Sequence, residues 1–152
     1  MKKCIYFPFL SVTKNLIKNF VTCGVIVWCI EILFTAAGSL RRREMPLVGQ
    51  TSLWMFPIYG SAAFFRPVFL LLKRFPVIVR GFFYAISIFA AEFISGRFLT
   101  KHHLCPWNYS QYKWHVNEVI RLDFLPFWFV VGLLYEKVLT SNPSIQNDTT
   151  VS

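Results

Sequence analysis

Four long apolar stretches alternate with short basic or polar connections along the chain. They are residues 20–40, 51–72, 77–99 and 120–139. Each approaches or exceeds the roughly 20 residues that cross a hydrocarbon core of about 30 Å as a helix. The pattern therefore predicts an all-α, multi-pass membrane protein, built as a bundle of four transmembrane helices. Before the first stretch, the basic and aromatic residues 1–19 are typical of an interfacial segment, and residues 141–152 are typical of a disordered tail.

Composition and charge agree with a membrane environment. The chain has 152 residues, of which 55% are hydrophobic and 17 are Phe, more than a soluble core of this size needs. Its net charge of +9 comes from short clusters of Lys and Arg between the apolar stretches, which favours contact with lipid headgroups over nucleic acid. We expect membrane lipids as partners and, in addition, a second copy of the chain or another membrane protein. A slight excess of basic residues favours cytoplasmic termini; the pattern does not identify which membrane the chain occupies.

Ionisable residues inside the apolar stretches are the most informative feature. Each costs roughly 2.5 to 3.5 kcal/mol near the centre of a bilayer, so we expect these groups to pair, to face a wet cavity or to be neutral. Glu31 lies near the middle of its stretch, and several others are displaced toward one side of the membrane, where they can meet. The candidates for an ion-pair network or a ligand pocket are Glu31, Glu92, Arg97, Arg121, Asp123 and, from the other half, Arg66. Glu136 is a further acid within the last stretch.

Three interpretations of these charges remain open. They form a buried ion-pair network that only fixes the register of the helices, or a polar pocket that holds a ligand or headgroup, or a relay for protons or ions. Helical spacing favours convergence, because Gly24, Trp28, Glu31, Thr35 and Gly38 share one face of the first span.

The segment HLCPWNYSQY, residues 103–112, interrupts the apolar pattern. Its Trp and Tyr residues are of the kind that favour the membrane interface, and Pro106 discourages a continuous helix. We expect a compact cap over the charged cluster; an ordinary aromatic belt without a ligand is the alternative.

Five ordered motifs resemble those of the transmembrane protein 229 family. They are CIEILFTAA at 29–37, TSLWMFPIYG at 51–60, AEFISGRFL at 91–99, CPWNYSQY at 105–112 and VIRLDFLPFWFVVGLLYE at 119–136. That family is the animal branch of a larger, mainly bacterial group named after ABC-transporter permeases. The resemblance implies that the signature positions are Glu31, Pro57, Tyr59, Gly60, Glu92, Trp107, Tyr109, Ser110, Arg121 and Trp128. Two positions depart from the family pattern: Asn108 replaces an Asp, and Ala91 replaces an aromatic residue.

Motifs for catalysis and cofactors are missing from the sequence. There is no G-x-x-x-x-G-K-[ST] phosphate loop, and the adjacent His102 and His103 lack the spacing that places two histidines on one metal. We therefore expect no metal, no cofactor and no catalytic residues. A non-catalytic scaffold or lipid- and headgroup-binding protein is favoured, with a permease or carrier component for a small polar or amphipathic solute as the alternative, and a lipid-modifying enzyme as a third.

Overall fold

The computed structural model describes the backbone of residues 7–111 and 113–141 and, within these ranges, the side chains from Val12 onward. The order of elements is α1 (Phe7–Arg41), α2 (Met55–Gly60), a 3-10 helix (Ser61–Phe65), α3 (Arg66–Leu72), α4 (Val77–Lys101), β1 (His115–Val116), β2 (Ile120–Arg121), a second 3-10 helix (Leu122–Phe124) and α5 (Leu125–Thr140). The predicted tail lies outside the described residues from 142 onward, as do the first six residues of the predicted interfacial segment. The remainder of that segment belongs to α1.

Three helical segments in the described part of the chain are long and apolar enough to cross a membrane. They are Val12–Arg41, Met55–Leu72 and Val77–Lys101. The fourth predicted span differs, because residues 120–124 form β2 and a 3-10 turn and only α5 is α-helical. With 16 residues, α5 is about 24 Å long. The fold is thus mostly helical, with three candidate membrane spans.

The end of α4 has the hydrogen bonds of a Schellman motif. The His103 backbone N–H donates to the carbonyl of Thr100 at 3.1 Å, and the Leu104 N–H donates to that of Leu99 at 2.9 Å. His103 has a positive φ of 57° at the position where glycine is usual. The end of α1 has the same motif around Arg43, whose φ is 61°. Both helices therefore stop in a defined turn, at some conformational cost.

Contacts divide the chain into two compact units, which are described separately. The first contains the described residues up to Pro67 and from Val138 onward. Here glycines let α1 and α2 approach closely: a Cβ on Gly24 would lie 2.9 Å from the Phe56 ring, and one on Gly60 would lie 2.9 Å from the Phe20 ring. This contact places Tyr59 of α2 against α1.

The second unit is Val68–Lys137, in which α4 packs against α5. A Cβ on Gly81 would overlap the Phe129 ring, and one on Gly132 would overlap the Cβ of Tyr84. Without side chains at these two positions, the helices come close enough for groups on α4 to reach α5.

Candidate functional site

In the first unit, the connection after α1 folds back along that helix. The Gln50 backbone N–H donates to Thr35 Oγ1 at 2.9 Å. A Cβ on Gly49 would lie 2.6 Å from the carbonyl oxygen of Ile32, so the close approach requires glycine. The connection thereby brings its next residue, Thr51, beside the α1 side chain one turn before Thr35.

That α1 side chain is Glu31, which receives hydrogen bonds from two hydroxyl groups. Thr51 Oγ1 donates to Glu31 Oε2 at 2.6 Å. The hydroxyl of Tyr59 is a second partner of the same carboxylate. Tyr59 is 5% exposed, whereas Glu31 is half-buried. We call Glu31, Thr51 and Tyr59 the Glu31 site.

Aromatic rings lie next to the Glu31 site along both helices. Trp28 is one turn before Glu31 on α1, and Phe56 is one turn before Tyr59 on α2. The Trp28 and Phe56 ring centroids are 5.9 Å apart in an edge-to-face arrangement. The indole Nε1 of Trp28 is buried and has no hydrogen-bond partner within the described residues. The site thus combines a carboxylate with aromatic rings.

The hydrogen bond from Thr51 shows where the Glu31 site lies relative to the second candidate span. Thr51 lies four residues before Met55, where the second candidate span begins. The first candidate span has 30 residues, about 45 Å, and exceeds a hydrocarbon core of about 30 Å. Glu31 is therefore level with one end of the second candidate span, although it lies near the middle of the first predicted apolar stretch.

Arg66, the other candidate in this unit, has a structural partner. Its Nε donates to the backbone carbonyl of Leu139 at 3.0 Å. Leu139 lies in the last turn of α5, where carbonyl groups have no partner within the helix, and a cation there also complements the helix dipole. Arg66 therefore caps the end of α5.

The second unit contains a buried ion pair that joins α4 to α5. Arg80 Nη1 donates to Glu136 Oε1 at 2.6 Å, and the Tyr84 hydroxyl donates to Glu136 Oε2 at 2.7 Å. The side chains of Arg80 and Glu136 are only 14% and 11% exposed. Arg80 and Tyr84 are four residues apart on α4, so they share a face and bind the two oxygens of one carboxylate.

Glu92 and Arg97 have different surroundings on α4. Glu92 is buried, on the same side as Gly96. Arg97 is exposed, with its guanidinium 6.0 Å from the centroid of the Phe93 ring. The sequence predicted that Arg97 pairs with the other charges across the bundle. The structure places Arg97 on the surface.

Arg121 pairs with Asp123 on the segment before α5. Arg121 Nε donates to Asp123 Oδ1 at 2.8 Å, and its guanidinium lies 4.3 Å from the centroid of the Phe124 ring. The Arg121 hydrogen bond holds the pKa of Asp123 below its usual range. This pair joins two residues that the sequence predicted to be part of the charged cluster.

The segment between α4 and β1 is folded against its own unit. Trp107 Nε1 donates to the carbonyl of Val119 at 3.1 Å, and the Tyr109 N–H donates to that of Glu118 at 2.8 Å. A Cβ on Gly96 would overlap Val119 and would lie 3.2 Å from the Trp107 ring. The segment therefore packs on the last turns of α4.

Three further predicted motif residues lie in the segment after α4, in α2 and in α5. Ser110 is exposed, and its N–H closes a turn with the Asn108 side chain at 2.8 Å. Pro57 is exposed in α2, within its first turn, where proline is tolerated. Trp128 is 3% exposed in α5, and its ring meets that of Phe127 edge to face with the centroids 4.9 Å apart.

A sequence model of the family described as "Putative ABC-transporter type IV" matches residues 18–150. The chain belongs to this family. Together with the three apolar helices, membership makes it a membrane protein with transmembrane helices. No solved structure matches the chain.

The structure of this family member brings together some of the predicted residues and adds others. It joins Glu31 to Tyr59, and Arg121 to Asp123. The sequence alone did not predict Thr51 as a partner of Glu31, nor Arg80 and Tyr84 as partners of Glu136. Arg80 lies within the third apolar stretch, and its spacing of four residues from Tyr84, together with the acid Glu136 in the last stretch, is the signal that indicates a buried pair.

Proposed function

We propose that this protein is a non-catalytic, multi-pass membrane protein that binds a lipid headgroup at the Glu31 site. The single observation that carries the proposal is a half-buried carboxylate level with the end of a candidate span, within a turn of aromatic rings. The chemistry suits an ammonium group, as in phosphatidylcholine or phosphatidylethanolamine. A carboxylate attracts the cation directly, and aromatic faces add roughly 0.5 to 2 kcal/mol of cation–π attraction.

The other intramembrane charges support a structural role in this proposal. Glu136 is bound by Arg80 and Tyr84, and Arg66 by the end of α5. Such contacts hold helices in register. The charges of these residues are paired or hydrogen-bonded within the protein. Glu31 differs because its described partners are neutral hydroxyl groups, so its negative charge stays available to a cation.

The proposal includes a complete topology. It takes α5 as the fourth span of a four-helix bundle, with both termini in the cytoplasm, and the segment around Trp107 and Tyr109 as a cap on the opposite side. The motifs at 51–60 and 105–112 support placement in the transmembrane protein 229 branch of the family.

The test measures thermal unfolding of the purified protein with soluble, short-chain lipids. A ligand at about 100 times its Kd stabilises the folded state by about 2.7 kcal/mol. We expect dihexanoyl phosphatidylcholine to raise the Tm and dihexanoyl phosphatidylglycerol, which lacks the ammonium group, to leave it unchanged. Glu31→Gln should abolish the shift.

The matched control is Glu44→Gln, in the same unit. Glu44 is exposed and pairs with Arg42 at 3.1 Å. This variant should keep the full response to phosphatidylcholine. An equal response in wild type and Glu31→Gln would contradict the proposal.

A second candidate is a permease component for a small ammonium solute, which the name of the family favours. Liposomes that contain only this protein should then take up choline in proportion to protein content, and Glu31→Gln should stop the uptake. Headgroup binding alone predicts no uptake by either protein.

A further inference from the structure

The chain between α4 and α5 forms a β-hairpin with one apolar face. His115 pairs with Arg121 and Val116 with Ile120 in antiparallel register. The Leu122 N–H donates to the carbonyl of Trp114 at 2.9 Å, which extends the pairing by one position. Successive residues of a strand point to opposite faces, and directly paired residues share a face.

The two faces differ completely in character. Over the paired strands and the position that the Leu122–Trp114 hydrogen bond adds, one face contains Trp114, Val116, Ile120 and Leu122, and the other contains His115 and Arg121. The exposed residues Lys113 and Asp123 flank that second face along the chain. At the polar face, the Arg121–Asp123 pair neutralises two of the charges. The hairpin is therefore amphipathic with a period of two.

The described residues of the protein leave most of the apolar face uncovered. Trp114 is 70% exposed, Leu122 45% and Val116 39%; only Ile120 is buried. A Trp on such a surface carries a large apolar area with a polar N–H, the combination that favours the membrane interface.

The depth of the hairpin follows from its contact with α4. Val119, in the hairpin turn, packs against Gly96. Gly96 lies five residues before the end of the span at Lys101, or about 7 Å along the helix axis. The 25-residue span is about 37 Å long, so Gly96 lies close to the boundary of a hydrocarbon core of about 30 Å. At that depth an apolar surface meets lipid.

We propose that the hairpin is a membrane-interface anchor, whose apolar face of Trp114, Val116 and Leu122 inserts among lipid headgroups and upper acyl chains. The exposed Lys113 beside the opposite face stays in water and complements anionic headgroups. Hydrogen bonds within the segment satisfy part of its backbone at this depth, among them those from the Tyr109 N–H to Glu118 and from the Leu122 N–H to Trp114. The anchor does not depend on ligand binding at the Glu31 site.

The test places a fluorescent label on each face in a cysteine-free background. Trp114→Cys and Val116→Cys report the apolar face, and Lys113→Cys is the matched control beside the polar face. Each variant carries an environment-sensitive probe and is reconstituted in vesicles of equal parts phosphatidylcholine and phosphatidylglycerol. Quenching by aqueous iodide is compared with quenching by lipids spin-labelled near the headgroup.

We expect lipid spin labels to quench the probes at 114 and 116 several-fold more than the probe at 113, and iodide to show the reverse order. Iodide quenching at all three positions would overturn the proposal, because the hairpin would then lie in water. Protection of 114 and 116 from both quenchers would also overturn it, since a second copy or another protein would then cover this face. Two reporters on the apolar face keep the test decisive if one labelled variant fails to fold.

Discussion

At the scale of single residues, the Arg80–Glu136 pair has the clearest energetic consequence. Its two charges are largely removed from solvent, and Tyr84 satisfies the second oxygen of the carboxylate. Buried charges are costly unless they are paired and hydrogen-bonded, so each partner depends on the other. The pair thus fixes α4 against α5.

We predict that breaking this pair on one side destabilises the protein strongly. Arg80→Met leaves the Glu136 carboxylate buried without its cation, and Glu136→Gln leaves Arg80 without its anion. Each should lower the free energy of unfolding by about 3 to 5 kcal/mol, whereas the double variant should lose less than the sum. Unfolding in detergent micelles measures all three.

The exposed pair Arg42–Glu44 provides the control cycle. Its side chains are more than half exposed, and exposed pairs contribute little. Arg42→Met and Glu44→Gln should therefore leave unfolding nearly unchanged. If the double variant of Arg80 and Glu136 loses as much free energy of unfolding as the two single variants together, the two charges do not depend on each other.

Sequence alone indicated which residues carry intramembrane charge, but only some of their partners. The partner of Glu31 depends on how far the connection folds back along α1, which Gly49 and Gln50 decide through backbone contacts. The partner of Glu136 depends on the approach of α4 to α5 at Gly81 and Gly132. Neither follows from the depth of a residue in its own helix.

At the scale of secondary structure, the long helices end with left-handed residues other than glycine. Arg43 and His103 have positive φ angles, which cost an L-residue roughly 1 to 2 kcal/mol. The Schellman hydrogen bonds offset this cost.

We predict that His103→Gly stabilises the protein. Glycine adopts the left-handed conformation without a clash, so the free energy of unfolding should rise by up to about 1 kcal/mol. Thr100→Gly is the matched control, because in the last turn of α4 glycine costs helix stability. Thermal unfolding of both variants decides the matter; a lower Tm for His103→Gly would show that the imidazole makes contacts worth more than the strain.

We also predict opposite effects of alanine at two helical glycines. At Gly132 a methyl group would overlap Tyr84, so Gly132→Ala should cost about 1 to 3 kcal/mol by overpacking. At Gly38 the nearest atom would be 3.7 Å away, an ordinary contact, so Gly38→Ala should gain up to about 1 kcal/mol of helix propensity. If Gly132→Ala and Gly38→Ala destabilise the protein to the same degree, interhelical packing does not determine the effect of alanine at these glycines.

The first three apolar stretches correspond to helical segments, whereas the start of the fourth does not. Ile120 and Arg121 lie within the fourth predicted apolar stretch, yet they pair with β1. The turn that precedes them contains Asn117 and Glu118, both with positive φ, as in the primed turns that suit hairpins. Hydropathy averaged over a helix-length window does not detect this turn.

At the scale of the whole molecule, the number of spans determines which ends share a side. Three candidate spans alone put the two ends of the helical region on opposite sides, and α5 as a fourth span returns the chain to the first side. At about 24 Å, α5 is shorter than an average hydrocarbon core, so it requires local thinning or its short flanking segments to cross.

We predict that cysteines introduced at Lys14 and Ser141 are labelled from the same side of the membrane. The variants are Lys14→Cys and Ser141→Cys, each in a cysteine-free background, and a membrane-impermeant thiol reagent is applied to intact and then permeabilised cells. The cytoplasmic orientation further predicts labelling only after permeabilisation. Labelling from opposite sides would mean that α5 does not cross.

The most direct test of headgroup binding at the Glu31 site is native mass spectrometry of the protein released from lipid nanodiscs. The nanodiscs contain equal amounts of phosphatidylcholine, phosphatidylethanolamine and phosphatidylglycerol, and wild type is compared with Glu31→Gln. We expect wild type to retain a lipid with an ammonium headgroup and the variant to lose it, while lipids held by the exposed basic clusters stay the same in both. Retention of the same lipids in the same amounts by both proteins would contradict the proposed function.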